Sequence, residues 1–564
     1  MTDLFPPFLV YVAGAILLPF IPNGSPRALF SLLIPIIGAY LIWFLPDGLH
    51  GQVVLAGWDI TLLRVDKLST IFGLIFSLAA FLGLLYAWHV RDTVQQTTSL
   101  LYAGAAIGAV FAGDLISLFI FWEGTAIASV FLIWARRTEG AYWTGLRYLI
   151  FQVGSGVVLL AGTVLHYHDT GSIAFDAMTL GSVGTWAIFL AFGVKCAFPL
   201  LHNWLQDSYP AATVTGTVIL SAFTTKLAIY ALARGFPGTE LLIYIGATMT
   251  LFPIFYAVIE NDLRRVLAYS LNNQLGFMVV GIGVGTPLAL NGTASHAFAH
   301  ILYKALLFMS MGAVLFRTGT VKGSELGGLY KSMPLTMIFC VIGAASISAF
   351  PLFSGFVTKS LILSASVHEG HYIVWGILLF ASAGVFHHSG IKIPYFAFFA
   401  HDSGLRPKEA PWNMLLAMGI TSVFCIGIGV YPEPLYALLP YDVEYVPYTT
   451  THVITQLQLL FFSALAFTVL MKTGIYPPEM RLVNLDFDWT YRKLAPAMIR
   501  RCRALFTTIW GGMIGASSNA LNKGFVALQK AHSPQGSLAR AWPTGTMVLW
   551  IAVLLGVTLI ITYI

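Results

Sequence analysis

The sequence predicts an all-α polytopic membrane protein of about 14–16 transmembrane helices, and three observations carry that prediction. Of 564 residues, 57% are hydrophobic and 10% charged, with a mean hydropathy of +0.80, a composition no water-soluble domain shows. Apolar runs of roughly 17–25 residues, enough to cross a hydrocarbon core of about 30 Å, recur along nearly the whole chain. Inside those runs stand five ionisable residues: Glu123, Lys195, Lys226, Lys304 and Lys359. A charge at the bilayer centre costs roughly 2.5–3.5 kcal/mol on insertion scales, so a chain that keeps such charges gives each a partner or water and, by default, a place in an ion or proton pathway.

In chain order the runs fall at 7–22, 27–45, 68–90, 98–113, 115–135, 145–167, 184–200, 212–234, 240–259, 264–285, 294–316, 335–366, 372–391, 412–430, 453–471 and 545–564. The first follows Met1-Thr2-Asp3 with no basic leader and no small-residue cleavage site behind it, so it reads as a retained helix. The seventh contains Pro199 and the twelfth contains Pro351 and Gly355. A mid-helix proline removes a hydrogen bond and clashes with the preceding turn, so both runs read as broken helices. Freed backbone survives in a bilayer only where protein or a wet cavity satisfies it.

The segment 473–543 breaks the pattern of short loops. It opens with Tyr476-Pro477-Pro478-Glu479, and from about Leu494 to Lys530 apolar residues recur at helical spacing (Leu494, Met498, Cys502, Leu505, Ile509, Met513), with Arg500, Arg501 and Arg503 mainly between them. Such a helix would lie in the membrane interface over roughly 55 Å, either as a surface linker or as a strut along a partner. Gly511-Gly512 and the stretch from Gly515 to Asn519 are where it would break into pieces.

Lys and Arg in short loops concentrate on the cytoplasmic side. The alternation of runs assigns Arg27, Arg64, Lys67 and Arg234 to one side, four in all. It assigns Arg91, Arg136, Arg137, Arg147, Arg264, Arg265, Arg317, Lys322, Lys331, Lys392, Arg406 and Lys408 to the other, twelve in all. The bias predicts a multi-pass protein of the cell inner (plasma) membrane with its N-terminus outside. The net charge of +6 is spread over that one face, so anionic lipid headgroups rather than nucleic acid are the expected partners. Cys196, Cys340, Cys425 and Cys502 lie apart with no CxxC spacing, which argues against disulfide and metal roles.

The chemistry sits in a few motifs. Glu123 lies mid-run, where an unpaired glutamate would take up a proton and a nearby lysine would keep it charged. Lys195 stands four residues before Pro199, beside a broken helix, the setting of a hydrated half-channel. The tetrapeptide Ala197-Phe198-Pro199-Leu200 returns as Ala349-Phe350-Pro351-Leu352, followed by Gly355 and Lys359. Paired helix interruptions of this kind point to an inverted-repeat transporter. His296, His300 and Lys304 follow one another at i, i+4 and i+8 and align on one helix face as a proton wire, though His296 reads equally well as a structural histidine. No further ligand stands near them to complete a metal site. Lys226, eight residues from Arg234, is either a relay lysine or one that snorkels to the membrane surface. His387, His388, Lys392 and His401 cluster near a cytoplasmic helix end as candidates for proton entry or exit. There is no Walker loop, nucleotide fingerprint or iron–sulfur cysteine pattern, so no catalytic site and no cofactor is expected in this chain, and energy must come from a gradient or a partner.

Taken in order, several motifs form a recognisable series. It runs from Phe121-Trp122-Glu123 through Lys195 with Phe198-Pro199-Leu200-Leu201-His202-Asn203-Trp204-Leu205, Thr225-Lys226, and Asn261-Asp262-Leu263-Arg264-Arg265, to His300 through Lys304 and Gly355-Phe356 with Lys359. Over roughly residues 60–400 this resembles the antiporter-like subunits shared by respiratory complex I and the Mrp-type multisubunit cation/proton antiporters. The resemblance implies two inverted five-helix repeats, each with a broken helix. Along the chain this gives N-terminal helices (1–97), a first repeat (98–234), a second repeat (235–392), C-terminal helices (393–472), the amphipathic segment (473–543) and a terminal helix (544–564). It implies a Glu123–Lys195 pair in the first half-channel, Lys226 as a bridge, His300 and Lys304 as a central relay and Lys359 at the end of the second half. Ala212-Thr213 and Thr225-Lys226 lean toward the D-type member of an Mrp Na⁺/H⁺ antiporter, with other membrane subunits, the lipid bilayer, protons and Na⁺ as partners. Two other expectations stand beside it: a proton-pumping subunit of a complex I or hydrogenase-type redox complex, and the membrane subunit of an inorganic-carbon uptake system.

Overall fold

The computed structural model describes residues 5–55, 57–477, 479–480, 484–538 and 540–563. Met1-Thr2-Asp3, ahead of the first apolar run, and Pro478 lie outside them. The chain divides into two compact units, one ending at Asn484 and the other beginning at Leu485.

In the first unit every expected apolar run is helical. The chain opens with α1 (Pro7–Leu17) and α2 (Ser25–Trp43), then a two-stranded antiparallel hairpin of β1 (Gly48–Leu55) and β2 (Trp58–Val65), paired from Gly48 opposite Val65 to Leu55 opposite Trp58. There follow α3 (Lys67–Tyr86), α4 (Thr93–Phe111), α5 (Leu115–Trp134), α6 (Glu139–Thr170), α7 (Val183–Cys196), the short α8 (Asn203–Ala211), α9 (Val214–Leu220) and α10 (Thr224–Gly235). The second half continues with α11 (Leu241–Ile259), α12 (Leu263–Val284), α13 (Pro287–Thr318), α14 (Pro334–Ile347), α15 (Ser354–His368) and α16 (Tyr372–Val385), which runs on in π-helical turns at Phe386–Lys392 and Tyr395–Phe399. Then come α17 (Trp412–Val430), α18 (Glu433–Tyr436) and α19 (Thr450–Thr473). The second unit holds α20 (Ala495–His532) and α21 (Thr544–Tyr563).

Among the described residues, 11 helices are long and apolar enough to cross a membrane, and three shorter apolar ones stand at Pro7–Phe20, Val183–Cys196 and Pro334–Ile347. Their ends are set by side chains that satisfy the first free N–H groups of a helix. Asp66 accepts from Ser69 N at 2.9 Å to start α3, Asp114 from Ser117 N at 2.7 Å to start α5, and Asp262 from Arg264 N at 2.8 Å to start α12. The centre of the first unit is α9, α10, α12 and α13. All residues of α10 are buried, and α12 and α13 are buried along nearly their whole length.

Four sequence expectations change. The hairpin lies between the second and third apolar runs, where no element is predicted; only β2 has a buried face, and β1 is largely exposed, so the alternation signal covers one strand. The run 212–234 is interrupted at 221–223, giving α9 and α10. The amphipathic helix α20 is unbroken for 38 residues, with Gly511, Gly512 and Gly515 inside it, because glycine weakens a helix by about 1 kcal/mol without removing a hydrogen bond. Finally, Arg27 does not belong with Arg64: its Nη1 donates to Thr93 Oγ1 at 2.6 Å, and the neighbouring Asn23 donates to Arg91 O at 3.0 Å. Arg27 therefore lies at the Arg91 end of the bundle, and the basic bias of the short loops becomes thirteen against three.

Candidate functional site

The two Ala-Phe-Pro-Leu segments have the same backbone. Ala197 and Leu200 take φ of 61° and 70°; Ala349 and Leu352 take 56° and 75°. In each, the phenylalanine N–H reaches back five residues, Phe198 to Gly193 O and Phe350 to Ala345 O, both at 3.0 Å. Proline disfavours the helical conformation for the residue before it, so the chain leaves the helix through a left-handed alanine. The turn leaves carbonyls without helical partners inside the bilayer, and side chains supply them: Trp204 Nε1 donates to Val194 O at 2.9 Å.

Lys195, fully buried on the last turn of α7, donates to Trp122 O at 2.5 Å and Thr125 Oγ1 at 2.9 Å, with its ammonium 4.4 Å from the centre of the Trp122 ring. Trp122 Nε1 in turn donates to Ser155 Oγ at 3.0 Å, and Ser155 to Ala191 O at 2.7 Å, which ties α5, α6 and α7 together around the lysine. Glu123, the next residue of α5, is half-buried against Gly156 of α6, where a Cβ would overlap its carboxylate. Its Oε1 has no hydrogen-bond partner among the described residues. Lys195 thus sits against the carbonyl preceding Glu123 rather than on its carboxylate.

Lys226 does not snorkel. It is fully buried and donates to Ser221 O at 2.5 Å, back into the interruption between α9 and α10. Lys359 makes the corresponding contact across the second proline break, donating to Ile347 O at 3.2 Å with its ammonium 4.9 Å from the Phe277 ring centre. On α13, His296 is held from two sides, with Nδ1 3.1 Å from Thr358 Oγ1 and Nε2 3.2 Å from Gln274 Oε1, which also accepts from Tyr303 OH at 3.1 Å. His300 and Lys304 are fully buried, and among the described residues neither His300 nitrogen nor Lys304 Nζ has a hydrogen-bond partner. All three stand on the one helix, as their spacing predicts.

At the end of α16, His388 Nδ1 lies 2.9 Å from Ser389 Oγ, which donates to Ser270 Oγ at 2.8 Å. Lys392 closes the free end of α11 by donating to Val258 O at 2.6 Å and Glu260 O at 2.7 Å, and it pairs with Glu479 Oε1 at 2.9 Å. Burial pushes the Glu479 carboxyl above its ordinary range, and Lys392 pulls it partly back. The His387 ring packs on Phe467 and Tyr476 at 5.1 and 5.5 Å. His401 is exposed on the loop that follows, with its carbonyl against Gly327, and does not join this cluster. Among the described residues no group of three or more His, Cys, Asp or Glu could hold a metal ion.

Sequence reasoning missed several polar groups of the interior. Asn272, Asn273 and Gln274 are fully buried in the middle of α12, and three consecutive amides inside an apolar run were a readable signal. Tyr303 and Thr358 look like ordinary helix residues and become visible only through their bonds to the His296 site. Glu479 stands out in the sequence only as part of a turn, and nothing local tells that it reaches Lys392. Together the groups offer protonatable sites in an apolar interior, each next to a helix interruption or a polar neighbour.

Comparison with known proteins agrees with this architecture. Residues 112–386 match the family model described as NADH:quinone oxidoreductase/Mrp antiporter, TM. The chain is 27% identical over 474 residues to the D component of the Na(+)/H(+) antiporter of Alkalihalophilus pseudofirmus, covering 77% of this chain and 94% of that one. It is 30% identical over 356 residues to the N component of the NADH-quinone oxidoreductase of Desulforudis audaxviator, covering 58% and 70%. It spans 46% of a longer relative, the A/B component of a probable K(+)/H(+) antiporter of Rhizobium meliloti, at 27% identity. Among solved structures, a chain of the membrane-bound sulfane sulfur reductase (MBS), an archaeal respiratory membrane complex, superposes with a TM-score of 0.73 at 20% identity, covering 99% of this chain and all of that one. The chain belongs to the NADH:quinone oxidoreductase/Mrp antiporter transmembrane family.

Proposed function

We propose that this chain is a proton-translocating subunit of a multisubunit membrane complex of the inner membrane, moving protons through Glu123, Lys195, Lys226, His296, His300, Lys304 and Lys359. The observation that carries the reading is His300 and Lys304: two titratable side chains fully buried at the centre of the bundle without hydrogen-bond partners among the described residues, on the same helix as His296. With no fixed partner, a buried group of this kind answers to the charges around it, so a change of charge at a neighbouring group shifts its protonation. Lys195 and Glu123 form the switch of the first half. With the pair apart, as here, the lysine rests on Trp122 O; when the carboxylate swings to it, the proton on the lysine is held. The two proline breaks belong to repeats at 98–234 and 235–392, and the His387, His388, Lys392 group serves proton exchange at the inner end.

Similarity to D-type antiporter components supports an Mrp-type Na⁺/H⁺ antiporter as the assembly, with other membrane subunits as partners. A pumping subunit of a redox membrane complex is the second reading, favoured by the fold match to the sulfane sulfur reductase chain, which extends over nearly the whole of this chain. The thirteen-to-three bias supports an N-terminus outside. The test is proton flux in proteoliposomes of the purified complex. Lys195→Ala and Glu123→Gln should each lower it about tenfold or more while the complex still assembles. Normal flux in either variant refutes the first half-channel, and Na⁺-independent flux in the parent complex favours the second reading.

A further inference from the structure

A cavity of about 530 Å³ opens at the end of the bundle that carries Arg64, Lys67 and Arg234. Its rim is charged: Asp47, Arg64, Asp66, Lys67 and Arg234. The rim is held in place by ion pairs, Arg234 to Asp66 at 2.8 Å and Arg64 to Asp176 at 2.6 Å, and the Asp66 that also caps α3 keeps its carboxyl below the ordinary range because Arg234, the Ser69 N–H and Arg64 together outweigh the effect of burial. Its inner wall is α13, at Leu290, Thr293 and Ala294. Within one helical turn of these along α13, about 5.4 Å, stands His296, the outermost member of the relay. Pro440 and Tyr441 also line the cavity, and that turn is fixed to α13 by a paired amide contact: Asn291 Nδ2 donates to Tyr441 O at 2.8 Å, and Tyr441 N donates to Asn291 Oδ1 at 3.0 Å.

We propose that this cavity is the outer mouth of the proton path, the port through which His296 exchanges protons with water on the N-terminal side of the membrane, roofed by the Pro440–Tyr441 turn. The proposal rests on the relay reading above and adds its outlet. Rim charges of both signs hold water without trapping a single ion. Thr293 on the cavity wall and His296 stand three residues apart on α13, the spacing of neighbours on one helix face, so the mouth lies one turn from the relay. None of the rim residues was among the sequence-read pathway residues.

The experiment uses the assembled complex in sealed membrane vesicles of both orientations, in a Cys502→Ser background so that the exposed native thiol is absent. Leu290→Cys and Ala294→Cys place thiols on successive turns of the inner wall, and a membrane-impermeant cationic thiosulfonate is the probe. Both should label from the N-terminal side only, Leu290→Cys the faster, and labelling should cut proton flux about tenfold or more relative to the same vesicles before reagent. Asn291→Ala, which frees the roof, should speed labelling at Ala294→Cys. Absence of labelling from the N-terminal side overturns the port, and so does complete labelling at Ala294→Cys with flux unchanged. An unaltered labelling rate with Asn291→Ala overturns the roof. A complex with no proton flux before reagent overturns the relay reading and the port with it.

Discussion

Each buried lysine is defined by what receives its ammonium. Lys226 and Lys359 donate to Ser221 O and Ile347 O, carbonyls at helix interruptions, whereas Lys195 leans on a side chain and a carbonyl of α5, and Lys304 has no hydrogen-bond partner among the described residues. The first two contacts satisfy backbone groups that would otherwise be bare in the bilayer, so these lysines have a structural duty along with any transport duty. Lys226→Met should therefore destabilise the purified complex by about 1–3 kcal/mol, the cost of one buried unsatisfied carbonyl, and also lower proton flux. Loss of stability with flux intact would make Lys226 a structural lysine. The positions of the charges were readable from the sequence because an ionisable residue in an apolar run is conspicuous. Their partners were not, since Ser221 O and Ile347 O are backbone atoms that no residue pattern advertises. The snorkelling alternative for Lys226 failed for that reason: the sequence shows the nearby Arg234 but not the interruption five residues before the lysine.

At the scale of elements, the two proline breaks came from one tetrapeptide repeated in both halves, and the shared left-handed alanines at 197 and 349 show that the repetition is conformational. An alanine at φ near 60° is strained relative to glycine, and a β-branched residue more so. Ala349→Val should lower the stability of the complex by about 1–3 kcal/mol, read by thermal unfolding, and Ala349→Gly should be tolerated or stabilising. If valine is as stable as alanine, the turn does not depend on that conformation. The third interruption, at 221–223, has no proline and takes no positive φ, which is why hydrophobic periodicity ran straight through it. The reverse held for α20, where clustered glycines suggested breaks that the helix does not make. Glycine lowers helix propensity, and only proline removes a backbone donor.

Across the whole molecule, the sixteen apolar runs fall on helices, two of them (212–234 and 335–366) interrupted, and among the described residues 11 helices are long and apolar enough to span, because length and hydropathy are set by the bilayer rather than by neighbours. What length and hydropathy cannot give is which helices stand in the middle. α12 and α13 carry amides and histidines in their apolar runs, and burying them at the centre of the bundle keeps those groups from lipid. In the proposed function, a line of buried titratable groups, bounded by helix breaks and set in the most enclosed helices, carries protons along the membrane plane and out past His296. The measurement that tests this most directly is proton flux through the reconstituted complex with Lys304→Ala, since Lys304 holds the centre of the line and has, among the described residues, no hydrogen-bond partner whose loss would confuse the result. The account predicts an assembled, folded complex whose flux falls to background. A complex that carries protons at the parent rate without Lys304 would contradict it.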